Sequence, residues 1–291
     1  MNDTITILDG GMGREIKARL PTFDPVLWSA TAFLQHPEIV VDIHSDFIQA
    51  GATVITTNNY TVVPSILNQT GYNDQFEHFT KQAALLAQQA RKNTSSSVQI
   101  AGCIPPLQSS YRPDLVVSDH EGTPIYQQIS QWLNPYVDLY LCESMSSIHE
   151  AKMALTALKS TNKPVWVSFI LDDHHPTQLL SGEPVDAIAS ELDLFSIEAM
   201  LFNCCHASSI STALPLLNFK GPTGGYANAF KQLPKDWDHS KGKLRESDQS
   251  MTPESYVNFV SEWQSIGASI IGGCCGIGID HIAMINQHLI S

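Results

Sequence analysis

The 291-residue chain has no long apolar run, little positive charge, few cysteines and no repetitive or linker-like stretch. Each lack narrows what it can be. Without an apolar run of roughly 20 residues, no segment is expected to span a bilayer. The 16 Lys and Arg face 29 Asp and Glu, a net charge of −13. That balance excludes the clustered positive charge that holds nucleic acid or an anionic membrane surface. The first eight residues, Met1–Leu8, carry Asp3 and lack a basic stretch followed by an apolar one. No secretory signal is therefore expected, and a cytoplasmic location is. With no Pro/Gly/Ser-rich divider, the length alone allows two domains of ~150 residues or one barrel of ~250.

Six cysteines are too few for a disulfide scaffold in a chain this long, and they stand at Cys103, Cys142, Cys204, Cys205, Cys274 and Cys275. Two adjacent pairs result, and neighbours in sequence are too close to satisfy disulfide geometry. In a reducing compartment the remaining roles are buried packing, a catalytic thiol or a metal ligand.

What the sequence does have is 43% hydrophobic residues arranged in a rhythm of short apolar runs and longer amphipathic stretches. The runs are 4–11, 53–60, 97–104, 137–144, 164–171, 199–206, 221–226 and 269–275. Most are rich in Val, Ile, Leu or aromatics with little alternation, the pattern of strands buried on both faces of a parallel sheet. The run 221–226 (GPTGGY) is the weakest. Helices are predicted over 37–50, 79–92, 147–158 and 253–264, the last with Thr252 as its cap and Pro253 in its first turn. Eight strands alternating with helices predict a parallel (β/α)8 barrel that takes 1–291 as one domain. The polar stretch 229–250 follows the seventh strand and reads as a loop over the barrel mouth or an insert.

In such a barrel the working face is the rim at the C-terminal ends of the strands. Asp9-Gly10-Gly11, Thr56-Thr57-Asn58, Glu143, Asn203-Cys204-Cys205 and Gly272-Gly273-Cys274-Cys275-Gly276 all fall there. Both cysteine pairs thus reach one rim from distant parts of the chain. A catalytic metal of the zinc type takes three protein ligands and leaves a fourth position open. Adjacent residues of a strand face opposite ways, so one of Cys204 and Cys205 is expected to ligate. The glycines around Cys274 and Cys275 relax the backbone enough for both to do so. The total is three thiolates. Cys103 and Cys142 read as core packing, His206 as a solvated loop residue and His174-His175 as a polar loop. A carboxylate such as Glu143 at a buried strand end costs several kcal/mol unless paired, so it is expected to meet a cationic group. Asp9 is either a turn residue or part of the same pocket.

Leu8-Asp9-Gly10-Gly11-Met12-Gly13, Leu27-Trp28-Ser29-Ala30, Ala50-Gly51-Ala52, Thr56-Thr57-Asn58, Cys142-Glu143-Ser144, Asn203-Cys204 and Ile271-Gly272-Gly273-Cys274-Cys275-Gly276 resemble the homocysteine S-methyltransferase family, over about residues 5 to 285. The resemblance implies a zinc-dependent barrel that methylates the thiol of homocysteine to methionine. Position by position, Cys204, Cys274 and Cys275 match the family's zinc ligands, and Cys205 matches a non-ligand. Glu143 matches the carboxylate that holds the amino group of homocysteine, and Asp9, Gly10 and Gly11 match its amino-acid pocket. Asn203, Thr57 and Asn58 match positions near that pocket. Zinc suits the chemistry, because a free thiol titrates near ~8.5 whereas a coordinated one is deprotonated.

Family members using betaine, corrinoid or folate typically carry extra sequence, so the resemblance points to a sulfonium donor, S-methylmethionine or S-adenosylmethionine. Rim aromatics such as Trp28, Tyr60 or Tyr226 would face such a cation. The chain departs from the family at Gly102-Cys103-Ile104-Pro105-Pro106, at Tyr226-Ala227-Asn228 and at Ile277-Gly278-Ile279-Asp280. None of these is an implied metal ligand. They leave two alternatives: another thiol or selenol acceptor, and a non-catalytic barrel that binds zinc or a thiol.

Overall fold

The apolar runs become eight parallel strands, and helices cover their outer faces. The computed structural model describes residues 5–231 and 246–290. In chain order the elements are β1 (Thr6–Ile7), α1 (Met12–Arg19), α2 (Ala32–Gln35), α3 (Pro37–Ala50), β2 (Val54–Thr56), α4 (Pro64–Thr70) and α5 (Phe76–Asn93). Next come β3 (Gln99–Ile104), α6 (Asp119–Leu133), β4 (Leu139–Met145), α7 (Ile148–Leu158), β5 (Val165–Phe169), β6 (Leu171–Asp172) and β7 (His175–Leu179). The chain continues through α8 (Ile188–Glu191), β8 (Ala199–Asn203), α9 (Ala207–Ala213), β9 (Thr223–Tyr226), α10 (Pro253–Ser265), β10 (Ile270–Ile271) and α11 (Ile279–Ile290).

Around the sheet the strands run β1-β10-β9-β8-β5-β4-β3-β2. A parallel bridge between Leu8 and Val54 closes the ring, with Thr53 N donating to Ile7 O at 2.8 Å. The fold is a (β/α)8 barrel. Alternate strand residues, among them Leu8, Val54, Leu139, Leu141, Trp166 and Leu201, fill the barrel interior. A larger apolar layer, including Phe47, Tyr126 and Trp263, joins the strands to the helices. Among the described residues no helix is long and apolar enough to cross a membrane.

Local chemistry sets the element ends. Pro37 opens α3, and Gly51 closes it at φ 114°, a left-handed backbone that favours glycine. Ser147 Oγ accepts from Glu150 N at 3.1 Å and starts α7. The weakest run, 221–226, forms β9 over Thr223–Tyr226, and Gly224 within it has a steric cause. A Cβ on Gly224 would collide with the Ile270 carbonyl of neighbouring β10, so a residue that dilutes the strand signal is one that lets the strands approach.

The structure departs from the sequence reading in several places, and it adds the helices α1, α9 and α11 to those predicted. His174-His175 lies in an antiparallel hairpin, β6–β7, and not in a plain loop. Helix α6 escapes the pattern because Gly122 and Pro124 interrupt it, although Ser118 and Glu121 cap its start. Of the polar stretch 229–250, residues 232–245 lie outside the described residues, while Phe230 and Ser247 on either side form a bridge.

Candidate metal and amino-acid site

The rim opens into a cavity of about 1030 Å3, its open mouth included. Its floor is built by β1, β4, β8 and β10, whose C-terminal ends deliver two carboxylates and three thiols. The ligand atoms of Cys204, Cys274 and Cys275 all lie within 4.8 Å of one another. Tetrahedral thiolate coordination at ~2.3 Å sets sulfurs roughly 3.8 Å apart, so small side-chain adjustments bring the three onto one ion. Crowding also appears in the Cys274 thiol. Hydrogen bonds shared with Cys204 and Cys275, and then burial, push its pKa well above the usual thiol value. Three packed thiols cannot all ionise without a compensating cation, and the donor set fits a metal.

The backbone around the triad is fixed from several sides. Cys204 adopts φ 53°, unusual for a residue with a Cβ, and Gly276 after the second pair adopts φ 86°. Cys204 N donates to Tyr226 O at 3.2 Å, and Asn228 Nδ2 donates to Cys204 O at 2.7 Å. Cys274 N donates to Ala227 O at 2.8 Å, and Ala229 N to Cys275 O at 2.9 Å. The segment after β9 therefore clamps both cysteine pairs. A Cβ on Gly11 would lie 2.5 Å from the Cys274 carbonyl, so this glycine lets the first rim turn press against the thiol loop. Cys205 turns the other way, is 1% exposed and packs in the layer beneath the helices.

Asp9 and Glu143 face the same cavity. Burial lifts the Asp9 carboxyl to about 8, against a lowering bond from Thr56 N at 2.8 Å, and Glu143 repels it further. Burial likewise lifts Glu143 to about 7, countered in part by a hydrogen bond from the Cys103 thiol at 3.4 Å. Among the described residues neither carboxylate forms an ion pair with Lys or Arg. His44 Nδ1 stands 4.0 Å from Asp9, but burial drives its pKa down to about 3 and leaves the ring neutral. Among the described residues no Lys, Arg or His lines the cavity. Among the described residues the site is a buried acidic pair with no cation beside it.

Of the expected pocket residues, Asp9, Gly10, Gly11, Thr57, Asn58 and Glu143 line the cavity. Thr57 Oγ1 is already used within the fold, donating to Asn59 Oδ1 at 2.7 Å and accepting from Cys103 N at 2.9 Å. Asn203, expected near the pocket, lies outside its lining. Its Oδ1 accepts from Ser168 Oγ at 2.7 Å and from Ser144 N at 3.2 Å, and its Nδ2 donates to Ser144 Oγ at 2.7 Å. It props Ser144, itself at φ 59°, next to Glu143. Cys103 and Cys142 are both buried in the core, as expected, and the Cys103 thiol also donates to Glu143. His206 caps α9 through Ser208 and is not part of the thiol cluster.

Trp28, Tyr60 and Tyr226 all line the cavity, and so do Tyr111 and Phe230, which sequence reasoning missed. Tyr111 sits in a polar loop with no motif or periodicity to mark it. Phe230 begins the polar stretch after β9, and Arg14 stacks over its ring at 4.9 Å.

The family model for homocysteine S-methyltransferase matches residues 6–289. A homocysteine S-methyltransferase of Escherichia coli is 25% identical over 93% of this chain and 91% of its own length. The homocysteine S-methyltransferase YbgG of Bacillus subtilis is 25% identical over 93% and 90%. A selenocysteine methyltransferase of Astragalus bisulcatus is 24% identical over 98% and 92%. Among solved structures, the metallated form of the E. coli homocysteine methyltransferase MmuM superposes with a TM-score of 0.82 at 24% identity, covering 99% of this chain and 97% of that one. That likeness concerns the fold.

Proposed function

The chain belongs to the homocysteine S-methyltransferase family, and on that premise we propose how its rim site performs methyl transfer to homocysteine, giving methionine. The observation that carries the reading is the union of a three-thiol cluster and a buried carboxylate pair in one cavity. Homocysteine carries one thiol and one ammonium, and each finds its complement there. Asp9 and Glu143 hold the ammonium, and losing that charge-assisted contact costs about 1.5–3 kcal/mol. Cys204, Cys274 and Cys275 hold one zinc ion, which when bound supplies a deprotonated, nucleophilic substrate thiolate. The likeness to a relative solved in a metallated form is consistent with this assignment.

A sulfonium amino acid or nucleoside, S-methylmethionine or S-adenosylmethionine, is the proposed donor. Support comes from a lining whose charged members, among the described residues, are both acidic and whose wall carries Trp28, Tyr60, Tyr111, Tyr226 and Phe230. Aromatic faces attract cations, and a cavity whose described lining is acidic suits a positively charged donor better than an anionic one. The wall then works by positioning, holding the methyl carbon in line with the thiolate. The same reading takes residues 1–291 as one barrel domain working in the cytoplasm, where six free cysteines stay reduced. A selenol acceptor is the second reading, favoured by the selenocysteine methyltransferase relative.

Methionine formation from homocysteine with each donor, alongside metal content, tests the proposal. Turnover with a sulfonium donor is expected. Glu143→Ala should raise the homocysteine KM roughly 10- to 100-fold while metal content stays at the wild-type level. Equal loss of metal and homocysteine affinity, or no turnover with any donor by zinc-loaded protein, would contradict it.

A further inference from the structure

Tyr111 stands in the loop between β3 and α6, far in sequence from the cysteines, yet its hydroxyl is 3.0 Å from Cys204 Sγ and 3.0 Å from Cys204 O. Among the described residues one phenolic proton faces two acceptors on Cys204. The carbonyl already accepts from Asn228 Nδ2 at 2.7 Å, so its need for a donor is met without Tyr111. The sulfur, once a thiolate, is the more strongly attracting partner, because charge-assisted hydrogen bonds outweigh neutral ones. Asn228 thus fixes the backbone of Cys204 in its unusual φ 53° conformation, and Tyr111 is left to fix the sulfur. The loop that brings Tyr111 is itself anchored, through Tyr60 Oη to Ser110 Oγ at 2.6 Å.

Resting on the metal reading above, we propose that Tyr111 is a positioning residue for the metal centre: its hydroxyl donates to the Cys204 thiolate, orients that sulfur toward Cys274 and Cys275, and draws charge from it. Two consequences follow from the chemistry. Three thiolates and a dication sum to one negative charge, and a bound substrate thiolate adds a second. A hydrogen bond to Cys204 drains electron density from a protein ligand and leaves the substrate sulfur the more nucleophilic of the two. Because Ser110 and Tyr111 both line the cavity, the bond also ties the wall beside the metal to the metal ligand itself.

The test uses the full chain loaded with cobalt(II), whose thiolate-to-metal charge-transfer absorption reports on the electron density at sulfur. Uptake of cobalt by the wild-type protein is read first, without any methyl donor, and a chain that takes up none overturns the proposal together with the metal reading. Tyr111→Phe removes the donor and keeps the ring. The charge-transfer band is then expected at lower energy than in wild type, and the metal should pass to a chelator roughly tenfold or more faster. Tyr60→Phe removes the anchor of the same loop but keeps the Tyr111 donor, so its band should shift less than that of Tyr111→Phe. If Tyr111→Phe does not fold, 3-fluorotyrosine at position 111 preserves shape, strengthens the donor and should move the band to higher energy. A band unmoved by Tyr111→Phe, or by the fluorinated residue in its place, overturns the proposal, as does an equal shift in Tyr60→Phe. Turnover is not needed for any of these readings, so failure of the methyl-transfer reading is seen separately.

Discussion

Cys204 and Cys205 are neighbours in sequence and opposites in environment. The first faces the cavity within 4.8 Å of two other thiols, and the second is sealed in the layer between strands and helices. Strand alternation made this divergence predictable, whereas nothing in the pair itself says which member faces the rim. Cys204→Ala should abolish stoichiometric metal binding. Cys205→Ala should retain it and lower stability by about 1 kcal/mol through a small cavity, read from metal analysis and melting of the two variants. Full metal in Cys204→Ala would contradict the ligand set. Asp9 and Glu143 carry a second residue-scale expectation. Burial raises both carboxyls, to about 8 and about 7, so the folded site keeps protons that the unfolded chain releases in the ordinary carboxylate range. Their contribution to stability is therefore full in acid and is lost as pH rises from that range through about 7 and 8. Metal-free, ligand-free protein should show this loss between pH 5 and 8, and Glu143→Gln should flatten it. A slope identical in the variant would show that Glu143 does not carry the effect.

At the scale of elements, strand and helix identity came through where the pattern was uninterrupted. Helix α3 runs over Pro37–Ala50 as the apolar spacing predicts, because Pro37 and Gly51 punctuate both ends. Strand β9 shows the opposite case. Its Gly224-Gly225 weakens any strand signal, yet the Ile270 carbonyl leaves no room for a Cβ. Replacing Gly224 by Ala drives the new methyl into the Ile270 backbone, a clash that side-chain motion cannot relieve. The expected cost is about 2 kcal/mol or more, a fall of several degrees in Tm, with metal binding impaired because β9 leads into the segment that clamps both cysteine pairs. Unchanged melting would mean that β9 and β10 can separate. The hairpin β6–β7 and helix α6 were illegible for other reasons. A short antiparallel excursion has little periodicity, and Gly122 and Pro124 break a helical one.

At the scale of the whole molecule, the barrel converts remote positions into neighbours. Its ring places the ends of β1, β4, β8 and β10 around one cavity, so residues spread from Asp9 to Cys275 share a floor. The strand-end rule made most of that floor readable from sequence, including both carboxylates and the thiols. It could not separate side chains that enter the cavity from those that brace it. Asn203 ends a strand like the rest, yet its amide is spent on Ser144 and Ser168. Nor could it find Tyr111, whose place depends on how a loop folds back over the rim. The central claim is that the three thiols and the acidic pair form one homocysteine site around a single metal. Its most direct test is the number of sulfur neighbours of the bound metal, counted by X-ray absorption before and after homocysteine is added. The account predicts three sulfurs from Cys204, Cys274 and Cys275, rising to four when homocysteine binds, and a count that does not change on binding would contradict it.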